Sequence, residues 1–301
     1  MVGGWPQEVT PSSYSLVGDS CSPSLPPLPR PHMWDPLVEL VQSTLLTCYI
    51  DYDTVAEPRF RSKEGMLCWG LRLPAKEAWK PIISPKKTRF LAASASLGDR
   101  LLLLGGSKSM GPGLARVRSS RLVQQYSLTS RRWSKARPLP HPVHSACAAT
   151  LPHGVLLVGD FSSGPANAYL LGSTGQWSAL PRSLHQHTAP ACGRATLGGQ
   201  QVVVVVSGGA VEYYSGQARA WRVLPAPEVV RIGPRPSVGW SRGRLVVVGG
   251  LDREMGEVSV EVEAWLEEEG RWQVEGEVEV ARSRQGQVEL PTSLVCPAQQ
   301  L

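Results

Sequence analysis

The chain has 301 residues and a formal net charge of +6, with 30 glycines, 26 prolines and 42% hydrophobic residues. No apolar stretch is long enough to cross a bilayer, which excludes a membrane-spanning helix. The abundance of Gly and Pro is typical of a large all-β domain, in which many short strands are joined by turns.

The N-terminus and the cysteines indicate the cellular compartment in which the protein is expected. The first residues lack the charged and apolar regions of a secretory signal. A disulfide-rich secreted chain would carry more cysteines at paired spacings, whereas this one has no C-x-x-C pair. We therefore expect reduced thiols and a cytoplasmic location, with the nucleus as an open alternative. The six cysteines are Cys21, Cys48, Cys68, Cys147, Cys192 and Cys296.

Residues 20–65 differ from the rest of the chain. Prolines dominate residues 22–31, which predicts an extended segment. Asp35 followed by Pro36 is typical of a helix start, because Asp caps the first turn and Pro fits within it. The segment is therefore predicted to be an insertion with one short helix that packs on the domain or binds a partner. The apolar face of this helix would consist of Leu37, Leu40, Val41 and Leu45.

Four modules follow, and the first shows the pattern. It contains a small-residue strand from Phe90, an apolar strand from Arg100 to Leu104, the pair Gly105-Gly106, a half-buried strand from Leu122 and a last strand with Trp133. Gly-Gly permits backbone angles that are closed to other residues, so the chain can leave the sheet sharply. The module is therefore predicted to be a four-stranded sheet.

The same order recurs three more times, and the tryptophans follow one another at intervals of 44, 44 and 51 residues. This period suits four strands per unit and predicts the blades of a β-propeller. The residues predicted to maintain the repeat are Gly105, Gly106, Trp133, Gly159, Trp177, Gly208, Gly209, Trp221, Gly249, Gly250 and Trp272.

An apolar strand, Gly-Gly, Tyr or an equivalent, a polar turn and then Trp resembles the kelch repeat over residues 66–296. The resemblance implies a kelch-type all-β propeller. We expect five blades, with a degenerate sixth as the alternative, and a short tail at 297–301.

The ends of the chain are predicted to share a blade. Met66–Leu73 and Glu77–Trp79 read as the last two strands of a unit. Within residues 1–19, the segment Ser13–Asp19 would supply one missing strand, and Gln285–Val295 would supply the inner strand. Such closure is similar to that of kelch propellers and removes exposed sheet edges.

Arginines suggest a recognition surface. Residues 86–137 are strongly basic, with Asp99 as their single acid. Arginine forks bind carboxylates by paired hydrogen bonds, so an acidic peptide is the expected partner. Solvated loop arginines are the alternative, and nucleic acid is less favoured because no aromatic residues are interleaved. The residues expected to bind the partner are Arg116, Arg118, Arg121, Arg231 and Arg235.

Other motifs give weaker indications. Pro26–Pro29 resembles the short proline ligands of some WW domains, with chance or use as a linker as the alternative. His185 and His187 form the most metal-like pair, but no acid or cysteine nearby in the sequence completes a site, so a surface loop is expected. Cys147 and Cys192 are predicted to be buried thiols on inner strands. We expect no cofactor and no metal.

We therefore expect a non-catalytic protein-interaction module. The resemblance implies substrate recognition for ubiquitin ligation or actin binding, although the chain has no room for the BTB domain of kelch-like receptors. A metal-dependent kelch-type enzyme and a nucleic-acid or acidic-ligand binder remain the alternatives.

Overall fold

The computed structural model is all-β, and no helix occurs among its described residues, so none of them forms a helix that could span a membrane. The structure describes residues 15–17, 20–22, 26, 33–51, 65–74, 78–108, 117–159, 167–187, 189–232, 236–241, 243–249, 251–252 and 261–277.

Five four-stranded antiparallel sheets form the blades of a β-propeller, which confirms the predicted fold class. Blade 1 contains β3 (Met33–Val41), β4 (Thr44–Asp51), β5 (Met66–Arg72) and β6 (Lys80–Ile82). Blade 2 contains β7 (Ala93–Leu97), β8 (Arg100–Leu104), β9 (Val123–Ser127) and β10 (Arg132–Lys135). Blade 3 contains β11 (Cys147–Leu151), β12 (Gly154–Val158), β13 (Ala168–Gly172) and β14 (Trp177–Leu180).

Blade 4 contains β15 (Ala191–Leu197), β16 (Gln200–Ser207), β17 (Ala210–Ser215) and β18 (Ala220–Leu224). Blade 5 contains β20 (Ser237–Ser241), β21 (Arg244–Val248), β23 (Glu261–Leu266) and β24 (Arg271–Glu277). Two short pairs lie outside the blades: β1 (Ser15–Val17) with β2 (Ser20–Ser22), and β19 (Arg231–Ile232) with β22 (Leu251–Asp252).

The hydrophobic core is divided into layers between neighbouring blades. The second strand of each blade is buried on both faces, which explains its continuous apolar run; Val202 to Val206 are all at most 1% exposed. One layer joins blades 1 and 2, and it includes Leu37 of β3 and Leu103 of β8. Equivalent layers join blades 2 to 3, 3 to 4 and 4 to 5. Each sheet therefore depends on its neighbours for burial.

The innermost strands bring consecutive blades together. β3, β7, β11, β15 and β20 contact one another in that order. Blades 4 and 5 approach each other closely, because a Cβ at Gly193 would lie 2.8 Å from the carbonyl oxygen of Val238. Small residues predicted for the inner strands therefore match the crowding at the centre of the ring.

The Gly-Gly pair after β8 is required by its surroundings. Gly105 and Gly106 have φ angles of 70° and 74°, a region that favours glycine. A Cβ at Gly105 would lie 2.7 Å from the Val143 carbonyl oxygen, and one at Gly106 would lie 2.7 Å from that of Phe90. Gly159, Gly208, Gly209 and Gly249 also follow second strands with positive φ, whereas Gly250 lies outside the described residues.

The predicted helix after Asp35 is wrong. That part of the chain forms β3 and β4, which are joined by a turn at Gln42 and Ser43 with Val41 opposite Thr44. Helical spacing of apolar residues over so short a stretch also fits a hairpin that is buried on both faces. Blade 1 therefore begins at Met33, within the predicted insertion.

Blade 1 takes all four strands from residues 33–82. The predicted inner strand Gln285–Val295 lies outside the described residues. The hairpin β1–β2 falls partly within the predicted strand Ser13–Asp19 but pairs with itself and does not join blade 1. Sharing of a blade is thus not needed to complete this sheet.

The prediction of reduced thiols is wrong for four of the six cysteines. Cys48 and Cys68 face each other on β4 and β5 and form a disulfide. A second disulfide joins Cys147 of β11 to Cys192 of β15, across blades 3 and 4. The partners are 20 and 45 residues apart in sequence, so strand pairing and ring geometry bring them together rather than local spacing.

Candidate protein-interaction surface

The alternation of strand direction gives the propeller two distinct ends. Turns between first and second strands, and between third and fourth strands, lie at one end, which we call the turn end. Loops between second and third strands lie at the opposite end, together with the connections between blades, and we call this the loop end. The described limbs of the basic loop, residues 105–108 and 117–122, and the connection 83–92 therefore lie at the same end.

Tryptophans fasten each connection to the next blade. Trp133, Trp177, Trp221 and Trp272 stand on fourth strands, and each donates its indole N–H to a backbone carbonyl just after the fourth strand of the preceding blade. The acceptors are, in the same order, Ile83, Arg137 (3.2 Å), Pro181 (2.8 Å) and Pro225 (2.8 Å). The repeated tryptophan thus has a hydrogen-bonding role in addition to packing.

Trp79 makes the corresponding bond from blade 1. Its Nε1 donates to the Pro26 carbonyl oxygen at 2.9 Å. Pro26 precedes blade 1 and follows the hairpin β1–β2. The rest of the WW-like motif, Pro27–Pro29, lies outside the described residues.

A buried polar residue on the third strand also hydrogen-bonds to the connection between blades. Gln124, Glu212 and Glu263 occupy equivalent positions, and all are buried. Gln124 donates from Nε2 to the Lys87 carbonyl oxygen at 2.8 Å. Glu263 accepts from the backbone amide of Glu228 at 2.6 Å. Each of these side chains binds backbone atoms of the connection that enters its blade, which orders that part of the loop end.

Glu212 holds the connection between blades 3 and 4. It is fully buried and accepts hydrogen bonds from the backbone amides of Leu184 (2.7 Å) and His185 (2.6 Å). The same carboxylate lies 3.0 Å from Nδ1 of His185 and 3.0 Å from Nε2 of His187. The histidine pair therefore has an acidic partner, which the local sequence does not reveal because Glu212 lies on β17.

The ionised form of Glu212 is favoured at this position. Burial alone would raise the pKa of Glu212, but hydrogen bonds from His187 and from the amides of Leu184 and His185, together with electrostatic attraction to His187, hold it below its usual value. No group of three or more His, Cys, Asp or Glu that could hold a metal occurs in the described part of the chain. The arrangement serves to hold a loop in place.

Exposed apolar side chains stand on these fastened connections. Ile83 is 63% exposed and Leu184 is 53% exposed, the two highest values among the large hydrophobic residues of the described chain. The Ile83 carbonyl accepts the Trp133 indole N–H, and the Leu184 amide donates to Glu212. Two apolar side chains thus face solvent from backbone that is held in one conformation, an arrangement that lowers the entropic cost of binding.

Three arginines of the predicted recognition set lie within the described residues, and they differ in their contacts. Arg118 is exposed, and its backbone amide donates to Ser107 Oγ at 3.1 Å. Arg121 donates from Nε to the Leu139 carbonyl oxygen at 2.6 Å, so part of its fork is already engaged. Arg231 begins β19 in the connection between blades 4 and 5, at the same end of the ring. Arg116 and Arg235 lie outside the described residues.

A partly buried carboxyl also lies between blades 1 and 2. Glu39 of β3 accepts a hydrogen bond of 2.9 Å from the hydroxyl of Ser94 on β7. Burial raises the pKa of Glu39 to about 7, and the Ser94 hydrogen bond opposes this only in part. Glu39 and Glu212 thus stand at two blade junctions with pKa values shifted in opposite directions.

The turn end has a cavity of about 600 Å³ between blades 4 and 5. Tyr213, Arg222, Trp265 and Glu267 are among its lining residues. Its walls contain one cation and one anion, and the Glu267 carboxylate already accepts the Gly198 amide at 2.5 Å. The cavity therefore favours neither sign of ligand charge.

Comparison with known proteins supports the fold. No family model matches the chain, and no curated protein matches it. Among solved structures, one titled "Structure of YjhT" matches with a TM-score of 0.64 and 15% sequence identity, covering 89% of this chain and 95% of that one. At that identity the likeness shows the propeller fold alone. The kelch repeat thus remains a resemblance in the sequence.

Proposed function

We propose that the chain is a non-catalytic protein-interaction module whose partner docks on the loop end. The observation that carries the proposal is the pair of exposed apolar side chains, Ile83 and Leu184, on connections fixed by the next blade. Apolar anchors on a rigid backbone, together with an exposed cation such as Arg118 at the same end of the ring, are typical of protein-binding surfaces.

The two anchors favour a protein over a small ligand. Ile83 lies in the connection between blades 1 and 2, and Leu184 lies in the connection between blades 3 and 4. A partner that contacts both must span two blades of the ring, which requires a surface of protein size. The arginines between them would pair with acidic side chains of that partner.

The finer role depends on the compartment. The kelch resemblance suggests substrate recognition for ubiquitin ligation or actin binding, and both act in the cytosol. Two disulfides are more typical of oxidising compartments. We therefore favour a partner met in such a compartment over the cytosolic roles.

A photocrosslinking amino acid at Ile83 or Leu184 tests the proposal in cells that produce the protein. We expect both positions to crosslink to one common partner, identified by mass spectrometry. The control is Val274, which is 37% exposed on the outer strand of blade 5. Ile83→Asp or Leu184→Asp should abolish recovery of the partner, and Val274→Asp should not. Equal labelling from all three positions would overturn the proposal.

A further inference from the structure

Three backbone segments lie side by side at the loop end of blade 2. Phe90 pairs antiparallel with Ser107, with hydrogen bonds of 3.0 and 2.7 Å in the two directions. Ser107 in turn pairs antiparallel with Ser119. The connection entering the blade and both limbs of its basic loop thus form a small ladder.

The register of this ladder aligns three cations. In antiparallel pairing, the residue before Phe90 lies opposite the residue after Ser107, and that residue lies opposite the one before Ser119. Arg89, Lys108 and Arg118 are therefore the residues next in register beyond the two bridges, and we call these three the row.

Among the described residues, none of these three cations takes part in an ion pair. Arg89 is 3% exposed, and its Nε and Nη1 atoms are buried without a hydrogen bond. Burial lowers the pKa of Arg89, as expected for a guanidinium removed from water. Asp99, the single acid of this basic stretch, lies in the hairpin turn at the opposite end, where it accepts a hydrogen bond from Ser127.

We propose that Arg89, Lys108 and Arg118 form a binding site for a tetrahedral oxyanion, a phosphate or sulfate ester on a side chain of the partner protein. The inference rests on the proposed function and names the group that the loop end recognises. An ester of this kind presents three terminal oxygens, which can accept hydrogen bonds from several cations at once, whereas a lone carboxylate offers two.

The two exposed cations and the buried one have different roles in this site. Lys108 and Arg118 are exposed and make the first contact with the ester. The Nε and Nη1 atoms of Arg89, which lack a hydrogen bond, then gain a partner by a change of its side-chain rotamer toward the bound anion. A ligand that binds the folded protein alone stabilises it, so the bound anion should also stabilise the ladder.

The test uses three peptides of one sequence that carry phosphoserine, sulfotyrosine or glutamate at the same position. Binding to the full chain is measured by calorimetry, and the Nε resonance of Arg89 is followed by NMR. We expect at least one ester peptide to bind tenfold more tightly than the glutamate peptide and to shift the Arg89 resonance. The better of the two esters identifies the source of the oxyanion.

The matched variants separate this site from general positive charge. Lys108→Gln with Arg118→Gln should remove the tenfold preference, and Arg132→Gln, at the turn end of the same blade, should retain it. Equal binding of ester and glutamate peptides would overturn the inference, as would equal losses in both sets of variants. Binding of a heparin oligosaccharide without any ester-peptide preference would also overturn it. In each case the crosslinks at Ile83 and Leu184 would still test the proposed function separately.

Discussion

At the junction between blades 3 and 4, a disulfide joins the innermost strands, and the Glu212 carboxylate holds the incoming connection. At the junction between blades 2 and 3, the innermost strands meet through the hydroxyls of Ser96 and Thr150, 3.3 Å apart. Tyr169 occupies the place of Glu212 there, in β13. The two junctions share their apolar packing and differ in their polar and covalent contacts.

This difference separates two contributions to the ring. Apolar layers of comparable make-up occur at both junctions, so packing between sheets is enough to set blade next to blade. The additional contacts between blades 3 and 4 fix the connection that carries Leu184.

Removal of the disulfide between blades 3 and 4 should lower the free energy of unfolding more than any other change at these junctions. Replacing Cys147 and Cys192 together by Ala should lower the free energy of unfolding by about 4 kcal/mol, because the bond closes a loop of 45 residues. Denaturant unfolding without reductant measures the change. Ser96→Ala with Thr150→Ala, at the less fastened junction, should cost about 1 kcal/mol. Unchanged unfolding of the cysteine variant would show that the disulfide does not stabilise this junction.

Loss of the Glu212 carboxylate should have the second largest effect on the free energy of unfolding. Glu212→Gln should lower the free energy of unfolding by about 3 kcal/mol at neutral pH, because buried amides and His187 lose a charged acceptor. The folded pKa of Glu212 lies below its unfolded value, so its contribution is present above the unfolded pKa and is lost as pH falls through the folded pKa.

Unfolding curves across acidic and neutral pH check this prediction. The difference between the wild-type protein and Glu212→Gln should shrink toward low pH. Glu39→Gln is a useful control because burial raises the pKa of Glu39 to about 7. Ionisation of Glu39 should therefore destabilise the wild-type protein as pH rises toward that value, and the variant should not show this loss. A difference at Glu212 that is constant with pH would contradict the role given to its charge.

The indole hydrogen bonds should give the smallest difference. Trp221 is 7% exposed and bonds to Pro181 at 2.8 Å, whereas Trp177 is more exposed and bonds to Arg137 at 3.2 Å. Trp221→Phe should therefore cost about 1 kcal/mol more than Trp177→Phe. Both variants lose the same ring volume, and thermal unfolding of the pair compares the two sites directly. Equal losses would show that the two bonds are equivalent.

Much of the fold could be predicted from the sequence because its signals are local. Short apolar runs that end in Gly-Gly, followed by tryptophans at regular intervals, indicate four-stranded units whatever surrounds them. The hairpin β3–β4 was missed because its apolar residues also satisfy helical spacing over so few positions. The length of this segment did not distinguish a helix from a hairpin, since the predicted helix and the two strands cover the same residues.

The contacts of the candidate surface could be predicted only in part. Basic residues are visible in the sequence, but their placement depends on the ladder through Ser107, which sequence spacing does not reveal. The residues that bind Glu212 lie in the connection between blades 3 and 4, and the two cysteines of each disulfide lie on different strands. One signal was available: Gln124, Glu212 and Glu263 recur at one position of otherwise apolar strands, and a repeated polar residue in a buried strand indicates a structural hydrogen bond.

The bond from Trp79 to the Pro26 carbonyl has a consequence for the smallest unit that can fold independently. A shortened chain that starts at Met33 would keep all five sheets and still lose one of the five indole acceptors. Blade 1 would then be the single blade with no fastening on its upstream side. Counting sheets therefore underestimates the autonomous unit, which extends at least to the residues that supply this carbonyl.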